Sequence, residues 1–426
     1  MSVQLNSSAV FTEVPSSRRG AFRHPAFVTI WAASVVLNIG DAMFDTSSAW
    51  LMTSLNADPV AVSLVQVAAS LPIVLFTLPA GALADLIDSR RFLIVVETAV
   101  AVVVAVLATL VSAGLATPIA LLLATFLLSA GISLSAPAWH SIAPLLVNQS
   151  ELDSAIAANG VGYNFSRAVG PALAGLAMAG LGIAAPFWID CAACLTALGA
   201  LMWWRSPRSN TEGLASERLI AAVGAGLRHA ADSRRLRAPL VRSIAFCLFA
   251  SASWALLPLI ARNQMAQGPI CYGALLSSIG AGAVGGSLGL SWLKVKLGPD
   301  GVVILGTFGA AFALVLFGLA RVPITAVCAS VVFGASSSAA PASLHASAHA
   351  ALPERVRARG LAIFLTVIFG AVTVGSAVWG RLASVEGLPV ANFVAAAGAV
   401  LAVPLTRRWK LASVAGVERS DSEPSP

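Results

Sequence analysis

The most constraining feature of this sequence is a series of long apolar runs separated by short polar turns. Charged residues make up only 11% of the chain, whereas a soluble domain has roughly a quarter. A helix needs about 20 apolar residues to cross the hydrocarbon of a bilayer, and only helices or closed barrels satisfy their backbone groups there. The pattern predicts an all-α membrane protein with twelve transmembrane helices. The predicted spans are 26–53, 60–84, 92–114, 118–146, 152–179, 183–204, 239–261, 271–294, 301–320, 324–350, 360–383 and 388–406.

The positions of the basic residues predict the orientation in the membrane. Of the 26 Lys and Arg residues, the alternating spans place 22 on one side, while Arg262 and Arg321 lie on the other. Because positive loops remain inside, both termini are predicted to be cytoplasmic in a bacterial inner membrane. The net charge of +7 is thereby explained by topology, and no nucleic-acid partner is expected.

The domain organisation follows from the spans and from an internal repeat. A cytoplasmic arm (1–24), without a cleavable signal peptide, precedes a six-helix bundle (25–204). A cytoplasmic linker (205–238), with an amphipathic helix at Leu219–Ala231, joins it to a second bundle (239–406) and a polar tail (407–426). Matching residues at offsets of 204 or 205 indicate two pseudo-symmetric halves in the same orientation. The matches are Gly81-Ala82-Leu83 with Gly286-Ser287-Leu288, Ala136-Pro137 with Ala340-Pro341, Gly170 with Gly375, and Gly175 with Gly380.

The turn between the second and third spans carries a recognisable motif. The sequence Gly81-Ala82-Leu83-Ala84-Asp85, followed by Arg90 and Arg91, resembles the loop motif G-x-L-a-D-r-x-G-r-[RK] of the major facilitator superfamily. Three positions depart from that motif: Leu86, Asp88 and Ser89. The resemblance implies two six-helix halves that rock about a central cavity.

The same turn is predicted to act as a cytoplasmic gate. Its repeat counterpart, Gly286–Lys296, contains no acidic residue. Asp85 is therefore expected to cap or pair with the start of the eleventh helix, near Arg357 and Arg359, in the outward-open state. Together with Gly81, Arg90 and Arg91, these residues form the predicted gate.

Further stretches resemble one branch, the transmembrane secretion effector family, which includes the enterobactin exporter and macrolide efflux proteins. They are Gly40-Asp41, Ala136–Trp139, Arg167–Gly175, Ala255–Leu259, Arg357–Gly360 and Gly370–Gly380. The resemblance implies export. Within it, Gly170, Pro171 and Gly175 resemble the fifth-helix motif of proton-coupled exporters, with Ser166 in place of a usual glycine. Small residues there also favour close helix packing and bending, so a structural and an antiporter interpretation coexist.

Acidic residues inside the first span are the leading candidates for proton coupling. Asn38, Asp41 and Asp45 are spaced i, i+3, i+7 and share one helical face. Two acids one turn apart in a low dielectric repel, which favours proton uptake by one of them. Alternatively, Asp41 braces a helix bent near Gly40, and Asp45 faces external water.

Arg167 is expected to need a carboxylate partner, because an unpaired guanidinium within a bundle is costly. Asp41 and Asp45 are the candidates, with Glu97 and Asp153 as alternatives. If Asp41 or Asp45 is the partner, Arg167 would face the cavity. In the other interpretation, it would lie near the cytoplasmic end of its helix and join the gate around Asp85.

Other polar and aromatic residues receive structural interpretations first. Asp190 and Glu97 are expected to reach interfacial water near helix ends. His345 and His349 have a spacing that can hold a metal, yet they are interpreted as polar packing, so no metal site is predicted. Four tryptophans are candidates for stacking on a substrate: Trp50, Trp139, Trp254 and Trp379.

The sequence therefore predicts a secondary transporter that exports an amphiphilic siderophore or drug in exchange for protons, and that works as a monomer. No phosphate-binding loop is present, so a proton gradient and no cofactor is expected. Uptake of a largely apolar solute by symport is the alternative. A membrane-embedded enzyme or scaffold would require a paired catalytic constellation, and the five histidines offer none.

Overall fold

A computed structural model describes residues 20–84, 87–204, 234–352 and 357–411. Within these ranges the chain forms long helices and no β-strand. The helices are α1 (Pro25–Leu55), α2 (Pro59–Ala84), α3 (Ser89–Ser112), α4 (Pro118–Leu146), α5 (Leu152–Leu181), α6 (Ala185–Trp203), α7 (Arg234–Leu259), α8 (Pro269–Leu319), α9 (Pro323–Ala350), α10 (Arg357–Glu386) and α11 (Leu388–Thr406). Short helical turns span Gly20–Arg23, Gln149–Glu151 and Ile260–Gln264.

Helix α8 is two spans joined by a sharp reversal. Gly298 interrupts it with φ 68°, a left-handed conformation that glycine adopts without steric penalty. In the first limb, later residues contact later residues of α9: Gly282 lies against Val331, and Gly286 lies against Ala335. In the second limb, later residues contact earlier residues of α9. The two limbs are therefore antiparallel, and the described residues contain twelve spanning segments, as predicted.

Length and composition support the membrane assignment. Ten of the described helices, with α8 counted once, are long and apolar enough to cross a bilayer. Helix α5 falls below that standard because polar residues interrupt it, among them Asn159, Asn164 and Arg167. Polar residues are tolerated in a spanning helix that packs against other helices or lines an aqueous interior. The predicted all-α membrane fold is confirmed.

The helix boundaries follow local capping chemistry. The carboxylate of Asp88 accepts a hydrogen bond from the backbone N–H of Arg91 at 2.9 Å and caps α3. The hydroxyl of Thr117 does the same for Ala120 at the start of α4. Such caps satisfy backbone N–H groups that have no partner within the helix. Asp88, which departs from the family motif, thus has a structural role.

Two helix pairs join the two halves of the molecule. Helix α2 packs along α10, and α5 packs along the first limb of α8. Between α2 and α10, the hydroxyls of Ser70 and Thr373 lie 2.8 Å apart. Between α5 and α8, a Cβ on Gly280 would lie 2.9 Å from the Cα of Ala168, so the backbones are in near contact.

The alternating spans define two faces of the molecule. The described ends, Gly20 and Leu411, lie on one face, which we call the terminal face, and the turn at 56–58 lies on the other, the far face. At the terminal face, His24 pairs with Glu151 at 2.7 Å. Several predicted features lie outside the described residues: 1–19, Asp85, most of the 205–238 linker with its amphipathic helix, and 412–426. The last residues of that predicted linker, from 234 onwards, belong to α7.

Candidate functional site

A cleft of about 850 Å³ opens between α9 and α10 towards the terminal face. Its walls are mainly apolar, with Phe364, Leu365, Ile368 and Phe369 contributed by α10. Binding sites for drug-sized molecules are typically clefts of ~300–1,000 Å³ with apolar walls and a few polar groups. The cleft is therefore large enough for such a ligand.

His345 and His349 line this cleft, which corrects their interpretation as polar packing. Both side chains are exposed, and the His345 ring makes an edge contact with Phe364 at 5.8 Å between centroids. The i, i+4 spacing put both residues on one face of α9, but only the packing of α10 shows that this face lines the cleft. Among the described residues, no group of three His, Cys, Asp or Glu side chains is arranged to hold a metal ion.

The polar face of α1 lies near α5, α6 and the first limb of α8. Asp45 is exposed and lies close enough to Arg167 of α5 and Tyr272 of α8 to interact electrostatically with both. Asp41, one turn earlier, is half-buried. The amide of Asn38 donates to the carbonyl of Ser34 at 2.6 Å, a bond within its own helix. The three residues thus share a face but differ in their access to solvent.

Arg167 does not have the carboxylate partner that the sequence predicted. Its guanidinium donates to the hydroxyl of Tyr163 at 3.2 Å, and no carboxylate of the described residues lies within ion-pair distance. The side chain is exposed. Arg167 lies in the middle of α5, away from the gate at the terminal face.

Two further carboxylates are buried, which corrects the expectation that they reach interfacial water. Asp190 on α6 is 0% exposed and Glu97 on α3 is 4% exposed. Glu97 accepts a hydrogen bond from the indole N–H of Trp139 at 3.1 Å. Both oxygens of Asp190 lack a hydrogen-bond partner. The distance of these residues from the helix ends did not predict their exposure, because α3 and α6 pack against neighbouring helices.

Contacts between the halves seal the far face. The guanidinium of Arg262, just after α7, donates to the hydroxyls of Thr53 at 2.9 Å and of Ser54 at the end of α1. It also lies over the ring of Trp50 at 5.5 Å, and Trp50 stacks on Tyr272 of α8 at 5.7 Å. The far face is therefore held closed while the cleft opens to the terminal face.

The motif of the fifth helix lies in two close helix contacts. A Cβ on Gly170 would lie 2.6 Å from the Cβ of Ala42 on α1. One on Gly175 would lie 2.7 Å from the carbonyl oxygen of Pro269 on α8, and the carbonyl of Pro171 closely approaches Gly273. Only glycine fits these positions without displacing a neighbouring helix, so the motif brings α5 against both α1 and α8.

The four candidate tryptophans make contacts within the protein, and their stacking on a substrate stays a prediction. Trp50 is 6% exposed and Trp379 is 5% exposed, and the indole of Trp379 donates to the carbonyl of Leu248 at 2.7 Å. Trp254 makes an edge contact with Phe333, and Trp139 is bound to Glu97. Their large apolar rings contribute to packing within the fold.

Arg90, one of the predicted gate residues, has a structural contact at the terminal face. Its guanidinium donates to the carbonyl oxygens of Leu201 at 2.8 Å and Met202 at 3.0 Å. A cation at these carbonyls satisfies acceptors at the carboxyl end of α6. Arg91 is exposed, and its backbone contact with Asp88 is the cap described above.

The predicted gate partner of this turn is not observed. Asp85 lies outside the described residues, and so does the side chain of Arg359. Gly81 is exposed, and a Cβ there would contact none of the residues that the structure describes. Arg357 lines the cleft and approaches the carbonyl of Leu352 at 3.4 Å. The gate at the terminal face stays a prediction.

The two helical halves and the cleft define a class, the membrane transporters of the major facilitator type. A mutant of the nucleoside transporter NupG aligns over 90% of this chain and 99% of its own, with a TM-score of 0.76 and 11% identity. A mutant of the peptide transporter POT aligns over 90% of this chain and 93% of its own, with a TM-score of 0.73 and 14% identity. A bacterial homologue of the human lysosomal transporter Spinster was solved in an inward-facing, unoccupied conformation. It aligns over 94% of this chain and 99% of its own, with a TM-score of 0.71 and 13% identity. These likenesses establish the fold.

The sequence profile of one family matches residues 16–426, almost the whole chain. The chain belongs to the transmembrane secretion effector family. A search of curated protein sequences gave no match. The predicted membership and the prediction that the chain is a transporter and not an enzyme are confirmed.

Proposed function

We propose that this transporter exports an amphiphilic small molecule, a siderophore or a drug, across the bacterial inner membrane in exchange for protons. The observation that carries this proposal is the apolar cleft of about 850 Å³. It combines apolar side chains from α10 with the imidazoles of His345 and His349 on the opposite wall. Such a surface suits a molecule with an apolar body and a few polar groups better than a sugar, which needs many hydrogen bonds.

The direction of opening supports a cycle of alternating access. Basic residues concentrate on the terminal face, so we assign this face to the cytoplasm. The cleft then opens to the cytoplasm, while Arg262 and Trp50 hold the far face closed. A substrate would enter from inside and leave after the two halves rock, as the description of the family as secretion effectors suggests.

Asp41 and Asp45 are the proposed coupling residues. Asp45 is accessible to solvent and lies near the interface between the halves, beside Arg167 and Tyr272. A proton bound there neutralises a charge whose burial changes as the halves rock. Protonation and conformation are thereby linked, and the proton gradient supplies the free energy without any cofactor.

Accumulation in cells tests this function. Cells that express the protein and cells that do not are loaded with a panel of siderophores and amphiphilic drugs, with and without an uncoupler. We expect lower accumulation of at least one compound in expressing cells and loss of that difference with the uncoupler. Equal accumulation across the panel would contradict export, and higher accumulation in expressing cells would indicate uptake.

A further inference from the structure

Asp190 is an exceptional residue in the N-terminal bundle. It is fully buried in α6, and neither of its carboxylate oxygens has a hydrogen-bond partner within the described parts of the chain. An ionised carboxylate without a partner or counter-ion is costly to bury, by several kcal/mol even after the protein relaxes. Either a ligand satisfies this group or it exists in its neutral form.

The structure places Asp190 directly against α1. A Cβ on Gly40 would lie 2.5 Å from Oδ1 of Asp190 and 2.8 Å from the Cβ of Ala193. Gly40 therefore leaves the space that the carboxyl group occupies. The next residue of α1 is Asp41, which interacts electrostatically with Asp190.

The other charged and titratable groups around Asp190 are mostly acidic. Asp41 and Asp45 come from α1, and Glu97 comes from α3. On α6 itself, Cys191 and Cys194 are neighbours. Arg167, on α5, interacts electrostatically with Asp45, and its guanidinium donates a hydrogen bond to the hydroxyl of Tyr163. No carboxylate in this group has a cation within ion-pair distance among the described residues.

We propose that Asp190, with Asp41 and Glu97, forms an internal proton-binding site in which Asp190 holds a proton at neutral pH. The ligand of this site is the proton itself, because the cluster lacks the arrangement needed for a metal ion. The proton is transferred from solvent to Asp45 and then, one turn along α1, to Asp41 and inward to Asp190. The exposure of the side chains falls in that order, from exposed Asp45 to half-buried Asp41 and fully buried Asp190.

This proposal deepens the proposed proton coupling and rests on it only for its physiological purpose. If the chain transported without protons, Asp190 would still hold its proton. Conversely, if Asp190 were ionised, export coupled through Asp41 and Asp45 would remain possible. The test therefore measures protonation of the purified full-length protein and needs no transported substrate.

Infrared spectroscopy of the protein in detergent measures this proton through the carbonyl stretch of neutral carboxylic acids. We expect the wild-type protein to show this band at neutral pH and Asp190→Asn to lose the intensity of one carboxyl group. Asp58→Asn, in an exposed turn, is the matched control and should keep the whole band. Size-exclusion chromatography and helical circular dichroism establish that each variant is folded.

A second variant locates the proton. Gly40→Ala should keep the band but change its frequency, because the added methyl group displaces Oδ1 of Asp190. The proposal is wrong if the wild-type protein has no neutral-carboxyl band at neutral pH, or if folded Asp190→Asn keeps full intensity. A band at unchanged frequency in Gly40→Ala would likewise contradict its assignment to Asp190. Absence of the band from the wild-type protein would overturn the proposal even if both variants fail to fold.

Discussion

Leu365 contributes one of the half-buried apolar side chains that wall the cleft. Leu365→Trp should fill part of the cleft and reduce export of any transported compound at least tenfold at equal protein level. Leu405, on α11, is 70% exposed and away from the cleft. Leu405→Trp is the matched control and should export normally. Equal export by both variants would show that the substrate does not occupy this cleft.

The residues that matter most were only partly visible in the sequence. Asp41 and Asp45 could be selected because charges within an apolar run are rare and costly. Asp190 and the two cleft histidines could not be assigned correctly, because their environment depends on which neighbours cover each helix face. A helical period tells which residues share a face, but it does not tell what that face contacts.

Among the elements, the contact of α5 with α8 should be sensitive to any added side chain. Gly175→Val would place atoms within 2.7 Å of the backbone of Pro269, and overpacking of this kind costs about 1–3 kcal/mol. We expect a lower unfolding temperature and impaired export. In Gly180→Val, on the same helix, the new Cβ meets no neighbour, so stability and export should be retained. Similar unfolding temperatures for the two variants would contradict this packing.

The seal of the far face depends on Arg262. Hydrogen bonds to a charged group contribute about 1.5–3 kcal/mol, so Arg262→Ala should shift the balance about tenfold or more towards opening at this face. Spin labels at Asn56 and Asn263 in a cysteine-free background would report a larger population of long distances. Arg321→Ala removes an exposed arginine of the same face and should leave the distances unchanged. Identical distributions in both variants would remove Arg262 from the seal.

The spans themselves were predictable to within a few residues, because a helix that crosses lipid must be long and apolar, and polar turns must lie outside the hydrocarbon. Helix α5 is the instructive case. Its polar residues lower its hydropathy, yet the apolar run at 152–179 was long enough to be predicted as a span. What the sequence could not supply was the pairing of α2 with α10 and of α5 with α8, since contacts between distant segments depend on three-dimensional packing.

At the scale of the whole molecule, the two halves meet at a sealed far face, and a cleft in the C-terminal half opens on the terminal face. Rocking of the halves would move a bound molecule from one side to the other. The acidic residues of the N-terminal bundle would link that motion to proton binding, although the cleft lies in the C-terminal half. The protein would thus exchange protons for substrate, with the acidic residues in one half of the chain and the cleft in the other.

Proton movement in everted membrane vesicles tests this claim most directly. Respiration acidifies the vesicle interior, and a fluorescent ΔpH probe reports the gradient while a compound exported in the accumulation assay is added. We predict that the compound partly dissipates the gradient in wild-type vesicles but not in vesicles with Asp41→Asn, whereas Asp58→Asn behaves as wild type. Uptake of the compound into wild-type vesicles without any change in the gradient, or equal dissipation by Asp41→Asn, would contradict the account.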